Sequence, residues 1–201
     1  LKEKLRIAEK FEILKVKIGT DDDKGIIKRI RKYTNKKIYA DANQGWNDLE
    51  KAVELTEWLA ANGVELIEQP FPEENIEFTQ KLKEKSSVPI IADESIRNYA
   101  ELLEYGSAFD GINIKLMKAG GIYQALKMIK KASESGLKIM LGCMTETSCG
   151  ISAAAQLLPL ADYVDLDGNL LLKKDLFSGL TVESGGVISL SQYPGLGVER
   201  I

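Results

Sequence analysis

Seven short apolar runs in this chain each end in charged or amide side chains, at the point where a strand would pass into a loop. ILKVKIG carries Lys15 and Lys17, IYADANQ carries Asp41 and Asn43, ELIEQP carries Glu68, and PIIADES carries Asp93 and Glu94. GINIKLMKAGG carries Lys115, KIMLGCMTE carries Glu146, and DYVDLDG carries Asp165 and Asp167. Strand ends tolerate so many charges only when these neutralise one another or a bound ion. The pattern therefore predicts one pocket in which carboxylates and lysines converge around a cation.

Asp41, Glu68 and Asp93 follow one another at intervals of 27 and 25 residues. Three carboxylates meeting at neighbouring strand ends suit a hard cation, and magnesium fits best because it takes oxygen ligands and keeps positions for water or a substrate carboxylate. Each acid taken singly could instead cap the next helix or pair with a lysine. Lys15 and Lys17 have the i, i+2 spacing that puts both side chains on one strand face. Beside carboxylates and a cation, a lysine can work as a base, and Lys115 would face Lys17 across the mouth of a closed barrel. A solvated surface position is the ordinary alternative for either lysine. Asp165 and Asp167 also share a face, where they could hold a substrate ammonium or cap the turn before Gly168.

Short β-branched runs alternate with segments of helical period about every 25 residues, the rhythm of strand–helix units around a parallel sheet. Strands are expected near 13–18, 37–41, 64–68, 89–92, 111–115, 138–142 and 163–166. Helices are expected near 1–10, 22–34, 47–62, 74–85, 98–106, 120–135 and 147–158, with Asp21 and Asn47 as N-caps and Gly63, Gly106 and Gly136 as left-handed C-caps. Beyond Asp167 the glycines suggest a loop-rich tail with short strands. Seven such strands leave a (β/α)8 barrel one short, and that fold typically takes about 250 residues. Because functional residues of such a barrel gather at the C-terminal strand ends, it explains the charges better than an open doubly wound sheet.

Composition narrows the function further. The 201 residues are 44% hydrophobic with a net charge of -3, enough for one sizeable core, and no linker divides them. Interspersed charge gives no basic face for nucleic acid, and no apolar run reaches the roughly 18 residues of a membrane helix. A soluble, cytoplasmic protein is expected, with the two cysteines, Cys143 and Cys149, as buried thiols. The chain contains no histidine, so the usual triads and zinc sites are unavailable and proton transfer falls to Lys, Asp, Glu, Tyr or Cys. Apolar helix faces could pack within one subunit or between copies of a homo-oligomer.

At the Lys-x-Lys of LKVKIG, DANQGW, IEQP, ADES, NIKLMKAGG, GCMTE and DLDG, the chain resembles the enolase superfamily, in its muconate lactonizing enzyme subgroup and most closely the dipeptide epimerases. The resemblance covers nearly all 201 residues. It implies a TIM-like (β/α)7β barrel domain over residues 1–201, lacking the first strand and the N-terminal capping domain. By resemblance Asp41, Glu68 and Asp93 are the Mg2+ ligands, while Lys17 and Lys115 are the acid/base pair. Lys15, Asp165, Asp167, Cys143 and Met144 would bind substrate, and Asn43 and Glu94 would support the ligands from behind. Thr147 stands where serine is commoner. The implied reaction is 1,1-proton transfer through an enediolate, epimerising the C-terminal residue of a dipeptide. N-acylamino acid racemisation, o-succinylbenzoate formation, muconate cycloisomerisation, or an inactive truncated barrel remain as alternatives.

Overall fold

Strands of a parallel sheet that helices cover must be apolar along their length, which leaves side chains for chemistry at the C-terminal ends. The computed structural model describes residues 2–201, and its strand Ile90–Ala92 is buried throughout. Helix α1 (Lys2–Ile7) tightens into a 3-10 turn (Ala8–Lys10) and leads to β1 (Ile13–Lys17). There follow α2 (Asp23–Arg31), β2 (Lys37–Asp41), α3 (Leu49–Ala61), β3 (Val64–Glu68), α4 (Ile76–Lys83) and β4 (Ile90–Ala92). The alternation continues through α5 (Tyr99–Tyr105), β5 (Gly111–Lys115), α6 (Leu116–Ala119), α7 (Ile122–Glu134), β6 (Lys138–Gly142), α8 (Ser148–Ala155) and β7 (Tyr163–Asp165). Four short strands close the chain: β8 (Phe177–Ser178), β9 (Leu180–Val182), β10 (Ile188–Leu190) and β11 (Glu199–Arg200). All seven expected strands are present, each within a residue of its expected bounds.

The chain divides into two compact units. One runs through Ser95 and takes in Tyr105–Gly111; the other comprises Ile96–Glu104 and Ile112–Ile201. In the first, the strand order is β1-β2-β3-β4 and neighbours pair in parallel. Register sets Lys17 opposite Asp41 and Asp41 opposite Glu68, so three charged strand ends fall in one row. Asp93 lies two residues beyond Ile91, the register partner of Glu68. Ile38, Leu66, Ile67 and Ile90 on the strands, with Ile27, Leu59 and Leu82 on the helices, are fully buried. Each such side chain contributes about 1.5–3 kcal/mol by leaving water.

In the second unit the order is β5-β6-β7, and Gly142 of β6 pairs with Asp165 of β7. Helix α7 buries Ala125, Met128, Ile129 and Ala132, the i, i+3, i+4, i+7 stripe of a helix lying on a core. The tail forms two antiparallel ribbons, β8 with β11 and β9 with β10. Asp175 fastens it by accepting the Ser148 N–H at 2.7 Å, at the start of α8. Burial alone would raise the Asp175 carboxyl, but hydrogen bonds from Ser148, Phe177 and Leu176 hold it below its ordinary range. No helix among the described residues is long and apolar enough to cross a membrane.

Helix ends depart from expectation in instructive ways. The N-cap positions belong to Asp22 and Asp48, not Asp21 and Asn47, and the Asp48 carboxylate accepts the Lys51 N–H. Asp22 makes no cap bond with its side chain. Its neighbour Asp23, buried, turns back into the loop after β1 and accepts from Gly19 N (3.0 Å), Thr20 N (2.8 Å), Thr20 Oγ1 (2.9 Å) and Trp46 Nε1 (3.0 Å). That loop must pass close to the next one: a Cβ on Gly19 would lie 2.1 Å from the Ala42 carbonyl oxygen. Gly63 and Gly136 are left-handed as expected (φ 80° and 73°), whereas Gly106 opens a 3-10 turn, Gly106–Ala108. The short α6 lies outside the expected helices and ends at left-handed Gly120.

Replacing Asp23 by Ala strips four donors of one buried acceptor, and such charge-assisted bonds are worth roughly 1.5–3 kcal/mol each before relaxation. Asp23→Ala is expected to lower stability by about 3 kcal/mol in urea unfolding with an unchanged m-value, and an unaltered midpoint would refute this role.

Candidate active site

Asp41, Glu68 and Asp93 are 1%, 0% and 2% exposed, so each carboxylate has lost nearly all its water. Burial pushes the Glu68 carboxyl up, Lys15 pulls it down, and Asp41 and Asp93 push it up again, leaving it at about 7. The Lys15 ammonium lies 2.8 Å from Glu68 Oε2 and 3.2 Å from Asp41 Oδ2, bridging the two strand ends. Lys17 Nζ donates to Asp41 Oδ2 at 2.7 Å and to Asn43 Oδ1. The Asn43 amide is oriented by charge on both sides. Its NH2 faces Glu94 Oε1 at 3.1 Å, an acceptor only, which turns its carbonyl to the lysine. Its backbone N–H meets Asp41 Oδ1 at 3.0 Å.

The structure thus brings Lys15, Lys17, Asp41, Asn43, Glu68 and Glu94 into one network. The two lysines differ in depth: the Lys15 side chain is 19% exposed, but that of Lys17 is 66% exposed. Gln69 is the residue the motifs did not single out. It is fully buried, has φ 40°, and its side chain bonds the Asp93 and Ser95 N–H groups. The only hint in the sequence is an amide directly after Glu68 in IEQP.

Among the described residues, no three acidic or thiol side chains are already gathered to hold a metal ion. The donor set of Asp41, Glu68 and Asp93 nonetheless suits one. It consists of hard oxygen donors that are desolvated and mutually repelling, with a cationic nitrogen already seated on two of them.

In the second unit Lys115 ends β5 with 8% exposure, and Asn113 on the same strand is 2% exposed. Asp165 is partly exposed and Asp167 exposed. Asp167 begins the turn Gly168–Leu171 through its backbone carbonyl, which accepts the Leu170 N–H at 2.9 Å; its carboxylate makes no cap bond. Of the two expectations for this pair, the turn is held by main chain. Gly168 is needed because a Cβ there would lie 2.1 Å from the Met144 carbonyl oxygen and 3.1 Å from Cys143 Sγ. Cys143 donates its S–H to the Asp165 carbonyl at 3.3 Å, and Met144 beside it is 45% exposed. Glu146, one of the charges that end the apolar runs, accepts the Met144 N–H at 2.9 Å and so serves its own loop.

Residues 1–200 match the enolase C-terminal domain-like family. The chain is 47% identical over 191 residues to an L-Ala-D/L-Glu epimerase of Bacteroides thetaiotaomicron, a match covering 95% of this chain and 50% of that protein. It superposes on the substrate-liganded L-Ala-D/L-Glu epimerase of Bacillus subtilis with a TM-score of 0.89 at 37% identity, over 98% of this chain and 58% of that one. Against the dipeptide epimerase of Cytophaga hutchinsonii, complexed with Mg and the dipeptide D-Ala-L-Val, the TM-score is 0.90 at 29% identity, over 100% and 57%. The chain belongs to the enolase C-terminal domain-like family, and its α/β fold is the one this family builds as a barrel domain. It spans about half the length of the curated relatives it matches.

Burial pushes the Cys143 thiol up to about 11, with the nearby Asp165 and Asp167 charges adding to it. Because only the thiolate is nucleophilic, Cys143 should react with iodoacetamide at pH 8 roughly a hundredfold more slowly than an exposed free cysteine, accelerating until the pH approaches its own value. Peptide-resolved alkylation rates between about pH 7 and 11 check this, and a plateau below about pH 9 would contradict it.

Proposed function

We propose that this chain is the barrel portion of a Mg2+-dependent dipeptide epimerase acting on the α-carbon of the substrate's C-terminal residue. The observation that carries the proposal is the row of buried carboxylates at neighbouring strand ends, bridged by lysine, in a chain 47% identical to an L-Ala-D/L-Glu epimerase. Asp41, Glu68 and Asp93 would hold the ion, which when bound supplies positive charge where the substrate carboxylate gains negative charge as the α-proton leaves.

The remaining work falls to the chain's own side chains. Lys17 and Lys115 attend opposite faces of the α-carbon: one takes the proton as a neutral amine, and the other, as an ammonium, returns one to the opposite face. Each turnover leaves the first lysine protonated and the second neutral, so both exchange a proton with water before the same direction can repeat. Lys15 neutralises Asp41 and Glu68 and offers positive charge to the substrate carboxylate. Asp165 and Asp167 hold the dipeptide's free ammonium, with Cys143 and Met144 lining that end. Asn43, held by Glu94, keeps the Lys17 amine aimed.

Proton NMR in heavy water, with Mg2+ and a panel of dipeptides such as Ala-Glu, tests the proposal. Deuterium should enter the C-terminal α-carbon and cease with chelator. Lys17→Ala and Lys115→Ala should each lower epimerisation at least about a thousandfold while leaving exchange from the other face. Normal epimerisation by both variants would refute the two-base scheme, and activity indifferent to Asp167→Asn would point to a substrate without an ammonium.

Metal binding is separable from turnover. Mg2+ at about a hundred times its Kd should stabilise the chain by about 2.7 kcal/mol. Thermal unfolding with and without Mg2+ should show that increment in the wild-type chain and lose it in Asp93→Asn. An equal increment in both would exclude Asp93 as a ligand.

A further inference from the structure

An amide sealed from water must find partners for two donors and a carbonyl inside the protein. Gln69, fully buried, finds them all. Its Oε1 accepts the backbone N–H of Asp93 at 3.0 Å and of Ser95 at 3.1 Å. Its Nε2 donates to the Phe71 carbonyl at 2.9 Å and to Ser95 Oγ at 2.7 Å. The main chain of the same residue is equally engaged: its N–H donates to the Ile91 carbonyl at 2.9 Å, and its carbonyl accepts the Gln44 N–H at 2.8 Å. One residue thus ties together the loops that follow β2, β3 and β4, which carry Asp41, Glu68 and Asp93.

The backbone conformation supports a dedicated role. Gln69 has φ 40°, a region that a side chain with a Cβ enters only where surrounding contacts impose it. We infer that Gln69 is a positioning residue for the metal centre, fixing the backbone from which the Asp93 carboxylate projects and its spacing to Glu68. This rests on the reading of Asp41, Glu68 and Asp93 as the cation's ligands. The chemistry needs an amide: a carboxylate would accept the two N–H groups but could not donate to Phe71, and an apolar chain would do neither.

The test uses Mn2+ as a paramagnetic stand-in for Mg2+, with free ion counted by EPR, on the full chain and on Gln69→Leu, Ser95→Ala, Asp93→Asn and Leu59→Ala. Groups that hold metal ligands in place typically change affinity about 10–100-fold when removed. Gln69→Leu should raise the Mn2+ Kd by about that factor, and Ser95→Ala, which removes one of the four bonds, by several-fold. Leu59, buried in α3, supplies the structural control: Leu59→Ala should lower the melting temperature and leave the Kd alone. Without metal, hydrogen exchange at the Asp93 and Ser95 amides should quicken in Gln69→Leu. An unchanged Kd in Gln69→Leu, or an equal loss in Leu59→Ala, overturns the inference; if Gln69→Leu does not fold, the Kd of Ser95→Ala decides. Wild-type chain that binds Mn2+ no better than Asp93→Asn overturns the ligand reading and this inference with it, whereas wild-type binding with unaltered Gln69→Leu overturns this inference alone.

Discussion

Neighbouring strands of a parallel sheet run about 4.8 Å apart, and two carboxylates placed in register at that spacing repel by roughly 3 kcal/mol at an effective dielectric constant of about 20. Asp41 and Glu68 are such a register pair, and both are almost wholly buried. Burial is the larger penalty, and the two together raise the Glu68 carboxyl to about 7. Compensation within the chain includes Lys15, whose single ammonium reaches both acids, and Lys17, which donates to Asp41. A sheet that buries acids this way is stable only with positive charge supplied at that point. The surrounding loops are accordingly organised to hold charge and donors in place.

That organisation continues the sheet's hydrogen bonding beyond its strands. Ile18 N–H donates to Asp41 O, Ala42 N–H to Glu68 O, and Gln69 N–H to Ile91 O, so each strand end is tied to the next past its last ladder residue. Gln44 N–H to Gln69 O and Trp46 N–H to Pro70 O add a further layer. Asn43, Gln44 and Gln69 all have positive φ, a strain of order 1–3 kcal/mol each that persists only when neighbours over-determine the backbone. Asp23 supplies part of that determination from below, gripping the Gly19–Thr20 turn and the Trp46 indole together. The acids are thus presented by a frame rather than by flexible loops, as a cation with strict geometry requires.

What the sequence made legible follows from which forces leave a periodic trace. Strands were readable because burial on both faces demands unbroken apolar runs such as Ile90–Ala92. The acids were readable because a charge directly after such a run sits at the rim of the core, where it must meet a partner or open onto a pocket. Two N-caps lie one residue beyond the expected positions because DDD at 21–23 and Asn47–Asp48 offer adjacent capping side chains, and loop geometry chooses among them. Register predicted that Lys15 and Lys17 share a face but says nothing of depth, so the exposure of Lys17 came only from the structure. Glu146 resembled a site residue by position and proved to hold its own loop. Gln69 left only the amide after Glu68 in IEQP as a trace, since its partners at Asp93 and Ser95 lie 24 and 26 residues away along the chain.

The absence of histidine from these 201 residues links the two halves of the proposed chemistry. Imidazole nitrogen favours zinc, copper, iron and nickel, so a centre built only of carboxylate oxygens selects the hard cations that nitrogen-rich sites hold poorly. The same carboxylates make lysine a natural companion, because an ammonium relieves their repulsion where a neutral imidazole would not. Lys15 shows the relation in its simplest form, a cation held by two acids. Lys17, on the same strand face and sharing Asp41, differs in having an exposed side chain and a neutral amide, Asn43, as its second partner. Lys15 thus bridges two acids from a largely covered position, while Lys17 meets one of them from an exposed one.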